Sequence, residues 1–303
     1  MKQKKKMLIL VGMLVILAAL YGGLRVWNQK SEEKEAKRAE ADRIHITETD
    51  GLSEFSYTNG TDKMGFVWED GTWYYDEDKE IPVSQSTVEG IANAVEGLTA
   101  ARELKNPDAL EDCGLTEPSY TIQYTSDDGT ESELYIGDAT GEDYYATVGN
   151  TGKVYTITSS LVSQLQFELS GVVENDSVPS IGSGNLKKVE ITENGETMTY
   201  KDEDELAELA GGFGVLSLTD CVDYHVSAEN LTGYGLDEAS RMTAAATYKD
   251  SGTEENETFT VYIGKMDESG TYRYLMVKDS KMVYQVSKDV AENMTVTETE
   301  AEE

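Results

Sequence analysis

Two histidines, His45 and His225, are the side chains best suited to proton transfer near neutral pH. Acid–base catalysis needs a second polar group within reach. His225 follows Asp223 and Tyr224 in a connecting segment, while His45 precedes the first strand. The two fall at unrelated points of the chain, which predicts surface or packing histidines. A serine hydrolase needs a Gly-x-Ser-x-Gly elbow, and the sequence contains none. Cys113 and Cys221 are the two thiols. A reactive thiolate needs an electropositive setting, and so acidic a chain offers little. Two free thiols are expected rather than one disulfide.

Asp76-Glu77-Asp78, Asp127-Asp128, Glu142-Asp143 and Asp202-Glu203-Asp204 offer oxygen ligands of the kind Ca²⁺ takes. None has EF-hand spacing or the Gly-rich repeat of a calcium β-roll, so solvated turns are expected. Tyr74, Tyr75, Tyr144 and Tyr145 suit a glycan or peptide groove, and equally suit alternation on half-buried strands. Asn-x-Ser/Thr sequons occur at Asn59, Asn175, Asn230, Asn256 and Asn293, a cheap pattern in a Thr-rich chain. Walker loops, dinucleotide fingerprints and zinc patterns are absent. The expectation is therefore no catalytic, cofactor-binding or metal-ligating residue, no cofactor and no enzyme.

Charge and hydropathy set the elements around these residues. The chain of 303 residues carries 58 acidic and 25 basic side chains, a formal net charge of −33. Ten of the Lys/Arg lie in residues 1–43, leaving 15 basic against 53 acidic residues beyond them. Such a body repels nucleic acid, whose binding needs cations that displace counterions. Lys2, Lys4, Lys5 and Lys6 precede the uncharged run Met7 to Leu24. A helix of that length spans about 27 Å, close to the ~30 Å of a bilayer's hydrocarbon core. The basic tip predicts a cytoplasmic amino terminus and a body outside, held by an uncleaved single-pass anchor; a cleaved signal peptide is the competing reading. Residues 1–27 are read as tip and anchor. Residues 28–43 are read as a charged helical stalk, and residues 295–303 as an acidic disordered tail.

The body repeats itself. Gly114-Leu115-Thr116-Glu117 matches Gly235-Leu236-Asp237-Glu238, Tyr135-Ile136-Gly137 matches Tyr262-Ile263-Gly264, and Val154-Tyr155 matches Val283-Tyr284. A first copy is expected over 44–173, a Ser/Gly/Pro linker over 174–184 and a second copy over 185–294. In each, short alternating strands joined by Asn-Gly or Asp-Gly turns predict antiparallel sheet, and an apolar stripe predicts one covering helix. In the first copy Ser86 and Glu89 suggest a capping box, and a short helix is expected from Ser159 to about Phe167. Tyr-Ile-Gly is expected to end a strand at a bend or bulge. The class is α+β: two tandem repeats of antiparallel β-sheet with a covering helix, preceded by one transmembrane helix.

Phe55-Ser56-Tyr57-Thr58-Asn59-Gly60, Trp73-Tyr74-Tyr75, Gly114 to Pro118, Tyr135 to Asp138, Tyr144-Tyr145-Ala146 and Val154 to Ile157, behind a Lys-rich signal anchor, carry a family resemblance. With them the chain resembles the bacterial domain of unknown function 4340, in two tandem copies. The resemblance covers 44–170 well and 185–294 more weakly, since Pro118 becomes Ala239 and the Trp-Tyr-Tyr hairpin has no counterpart. The family brings no catalytic residues. Its members are often encoded beside ABC exporter subunits and an auxiliary protein related to gliding-motility components. The resemblance thus implies a non-enzymatic, membrane-anchored extracytoplasmic interaction module, with an ABC transporter permease or auxiliary subunit as partner. The alternative is an extracytoplasmic module that binds a ligand or a cation, either a glycan or Ca²⁺.

Overall fold

The computed structural model describes Arg25 and residues 43–296, apart from residues 106, 108 and 150. The expected anchor, most of the stalk and the tail beyond residue 296 lie outside the described residues. Among those described, no helix is long and apolar enough to cross a membrane.

In chain order the elements are β1 (Ile44–His45), β2 (Leu52–Thr58), β3 (Lys63–Glu69), β4 (Thr72–Tyr75), helix α1 (Gln85–Glu96), β5 (Thr99–Ala100), β6 (Arg102–Glu103), β7 (Tyr120–Ser126), β8 (Glu131–Thr140), β9 (Asp143–Val148) and β10 (Tyr155–Thr158). There follow β11 (Leu186–Glu193), β12 (Glu196–Tyr200), α2 (Glu203–Gly214), β13 (Cys221–Asp223), α3 (Leu231–Tyr234), β14 (Met242–Lys249), β15 (Asn256–Met266), β16 (Tyr272–Val277), β17 (Val283–Ser287) and α4 (Lys288–Asn293). The strand pairs are antiparallel, and the class is α+β. Two compact units form, one from residues 43–64 and 90–165, the other from 65–89 and 166–296.

In the first unit the strands run β2-β7-β8-β9-β10-β6, beside a small β1–β5 ribbon. Alternation drives the sheet: Phe55, Tyr57, Ile122, Leu134, Ile136 and Ile157 point to a core from which water is excluded. Thr47, 4 % exposed, ties the ribbon to the end of α1 by donating to the carbonyl of Val95 and accepting the Leu98 amide at 3.0 Å.

In the second unit the order is β12-β11-β14-β15-β16-β17-β13. From β11 onward this reproduces the order of the first sheet strand for strand. Leu206, Leu209, Ala210 and Phe213 recur at helical spacing on α2. They bury that stripe against Val189, Ile191, Ala244, Val261 and Ile263 of the sheet. The α2 amino terminus is capped by Asp202, whose carboxylate accepts the Asp204 amide at 3.0 Å, and Glu203, Asp204 and Glu205 complement the helix dipole in the first turn. Asp202→Ala is expected to cost about 1 kcal/mol, read as a lower urea midpoint. The hairpin of β3 and β4 pairs Phe66 with Tyr75 and Trp68 with Trp73. Its Asp70-Gly71 turn, like Asn194-Gly195 between β11 and β12, has positive φ at both positions (50° and 85°; 52° and 82°), as a two-residue hairpin with matched twist requires.

Three local expectations change. The helix expected from Ser159 is instead a pair of 3-10 turns, Val162–Gln164 and Leu169–Gly171; the Ser163 hydroxyl bonds the Ser160 carbonyl, drawing the segment away from a regular helix. Helix α1 starts at Gln85, so Ser86 lies within its first turn. Ser84 takes the terminal position, its carbonyl accepting the Val88 amide at 3.0 Å and its hydroxyl bonding that of Thr87. The strands carrying Tyr-Ile-Gly do not end there. β8 and β15 continue to Thr140 and Met266 through a register shift just after Ile136 and Ile263.

Candidate functional site

The repeated motifs meet on the sheet face opposite the main core. In the first unit Cys113, Leu115 and Val154 are buried together, with Leu104, Tyr135 and Tyr145 packed against them. In the second, Val226, Leu236, Met276 and Val283 are buried, with Leu231, Tyr234, Tyr262 and Tyr274 against them. The Gly-Leu segment folds over the sheet, its glycine left-handed at φ 67° in both copies. The bulge glycine of Tyr-Ile-Gly lets the segment's backbone approach. A Cβ at Gly137 would collide with the carbonyl of Cys113, and one at Gly264 with the carbonyl of Tyr234. Arg241 stacks on Tyr262 with its guanidinium carbon 3.6 Å from the ring centre.

The densest polar constellation lies in the second unit. His225 Nδ1 is 2.6 Å from Asp78 Oδ2, its Nε2 is 3.2 Å from Lys281 Nζ and 3.6 Å from Glu80, and Lys281 pairs with Glu80. The His225 amide donates to Asp223 Oδ1 at 3.1 Å, and Tyr234 donates its hydroxyl proton to Asp223 Oδ2. The His225 hydrogen bond holds the Asp78 carboxyl below the usual range, and Lys281 does the same for Glu80. Nothing in the sequence signals this: the partners stand 147 residues apart. His45 lies exposed on β1 opposite Thr99.

In three of the acidic clusters one carboxylate is committed locally: Glu77, Asp128 and Asp202. The Asp76 amide donates to the Gly65 carbonyl and Glu77 accepts the Tyr75 hydroxyl at 2.9 Å; burial, with that hydrogen bond second, pushes the phenol up to about 12. Asp128 accepts the Thr130 amide at 2.9 Å, and Asp143 pairs with Thr140 after the Gly141 turn. An acidic hollow of about 530 Å³ lies in the first unit, lined by Glu48, Asp50, Tyr124, Asp127, Asp128 and neighbouring serines and threonines. Among the described residues, no group of three His, Cys, Asp or Glu side chains could hold a metal ion. Of the four tyrosines read as a groove, Tyr75 is 6 % exposed and Tyr145 packs in the outer cluster.

Both cysteines are free thiols. Cys113 is buried. Cys221 on β13 donates to the Asp223 carbonyl at 3.3 Å, and burial pushes its thiol up to about 11. At that value roughly a hundredfold less thiolate forms at neutral pH than for an ordinary cysteine. Iodoacetamide labelling of Cys221 in the native chain is therefore expected to stay slow through pH 8 and to accelerate as pH approaches 11; labelling at the rate of a free cysteine would refute this.

Geometry thus places the repeated motifs in structural locks. Residues 73–210 match the family model Domain of unknown function (DUF4340). The DUF4340 match opens at Trp73 of β4 and closes at Ala210 of α2. It takes in the first Gly-Leu-Thr-Glu and the first Tyr-Ile-Gly, and leaves the second Tyr-Ile-Gly outside. Searches of curated proteins and of solved structures gave no match.

Proposed function

We propose that this chain is a non-enzymatic, membrane-anchored module whose body lies outside the cytoplasm and docks a membrane partner. We also read its two sheets as tandem copies of one DUF4340-like unit. The observation that carries the reading is the matched strand order of the two sheets, each locked by the same glycine–carbonyl approach. A duplicated unit, each copy locked by its own glycine, suits presentation of a surface. The uncharged run Met7 to Leu24 behind a basic tip supports the anchor. The choice of partner, an ABC-type exporter permease or its auxiliary subunit, rests on the family resemblance. The test is cross-linking of tagged full-length chain in its native membranes, followed by capture and mass spectrometry. Recovery of such a permease or auxiliary subunit supports the reading, and a bait without a membrane partner overturns it.

A further inference from the structure

The three charged side chains around the His225 ring, Asp78, Glu80 and Lys281, form a cluster whose balance depends on one proton. Two carboxylates face the imidazole, Asp78 and Glu80 from the segment after β4; Asp223 instead accepts the backbone amide of His225 and the Tyr234 hydroxyl. One ammonium faces it, Lys281, from the loop before β17, where the Val226 amide bonds the Lys281 carbonyl at 2.8 Å. His225 is 26 % exposed, so its proton exchanges with solvent while its charge is felt by its neighbours.

The two ring nitrogens face different company. Nδ1 has an acceptor at 2.6 Å, so it carries a proton in either charge state. Nε2 lies between a donor, Lys281 Nζ at 3.2 Å, and an acceptor, Glu80 Oε2 at 3.6 Å. A neutral imidazole accepts from Lys281 there, whereas an imidazolium must turn its Nε2–H to Glu80. In the first state one cation faces the two carboxylates; in the second, two cations do. The second state holds residues 76–84 more firmly against the 221–226 segment and Lys281.

We propose that His225, set between Asp78, Glu80 and Lys281, is a pH-sensitive latch on residues 76–84 of the second unit, tightening as the imidazole takes up its proton. The segment it holds is continuous with the Ser84–Val172 hydrogen bond, the Val83–Val173 bridge and the start of α1, so the latch controls how firmly that helix is seated at its entry. The sign follows from the charges. Protonation of His225 adds attraction to Asp78 and Glu80, and the gain is lost as pH rises. Asp78, with its carboxyl already held low, keeps its charge through the same range. The inference does not depend on the proposed function.

The test is hydrogen–deuterium exchange of the full chain in detergent micelles at about pH 8 and about pH 5.5, which bracket imidazole titration, with rates corrected for intrinsic exchange. The reporters are the amides of Glu80, Ile81 and Ser84, which bond to Asp78 Oδ1, the Asp78 carbonyl and the Val172 carbonyl. Their protection is expected to rise about threefold at the lower pH, the scale of a partly exposed ion pair. His225→Gln, which keeps an amide donor for Asp78 but cannot titrate, is expected to show no rise. Equal protection at both pH values in the unmodified chain overturns the latch, as does a rise that survives in His225→Gln. If that variant loses protection across β14 and β15, and so its fold, Asp78→Asn is read by the same criteria.

Discussion

Gly137→Ala and Gly264→Ala are each expected to lower the stability of the unit that carries them by about 3 kcal/mol, the upper range for overpacking a core that cannot give way. The obstacle is backbone. A Cβ at Gly137 would meet the Cys113 carbonyl oxygen and lie 2.9 Å from the Gly114 carbonyl carbon. A Cβ at Gly264 would meet the Tyr234 carbonyl oxygen and lie 3.2 Å from Leu236 Cγ. Relief in either unit means lifting the Gly-Leu segment off the sheet, which exposes Leu115 or Leu236, 7 % and 0 % exposed as folded. Gly184→Ala is the control: nothing stands within 4 Å of its added carbon, and it is expected to leave stability unchanged or slightly raised. Urea unfolding measures all three. A loss below about 1 kcal/mol at Gly137 or Gly264 would mean the motif is not a lock.

Phe213→Ala is expected to cost about 4 kcal/mol, within the range for removing a large buried ring. Phe213 is 1 % exposed and is the last large side chain on the buried stripe of α2. Its neighbours are fixed on both sides: the sheet is tied by its ladder, and Gly212 sets α2 against the backbone of Asn293 and Met294 at the end of α4. The site therefore collapses poorly and a cavity remains. A denaturation midpoint close to that of the unmodified chain would mean α2 is not the cover of the second sheet.

The strands that repeat over five or more residues, such as β2, β7, β11 and β14, are plain in the sequence because alternation has room to show itself. Asp70-Gly71 and Asn194-Gly195 name their own turns. β5, β6 and β13 are two or three residues long, too short for any period. They are strands because an edge stands beside them, and an edge is a tertiary fact. The same reason hides the His225 cluster. Asp78 reads as one of three acidic residues in a turn, and His225 as a lone histidine. Neither position carries a mark of the other, because the chain between them must fold before they meet. Tyr-Ile-Gly was legible as a glycine-dependent bend because it occurs twice, but the carbonyl that demands the glycine comes from a segment more than twenty residues earlier in each copy.

The far edge of each sheet has a consequence for how the chain acquires its fold. β6 pairs with β10, and β13 pairs with β17, so a strand laid down early waits for the last strand of its sheet. For β13 the wait spans roughly 60 residues, a closure whose entropy cost grows slowly with length but must be met before the contact returns anything. Folding of this kind runs in milliseconds to seconds rather than microseconds. A nascent chain that has not yet released Val283 to Ser287 holds β13 without a neighbour. A stop anywhere ahead of that segment leaves two strands of the edge missing from one lesion.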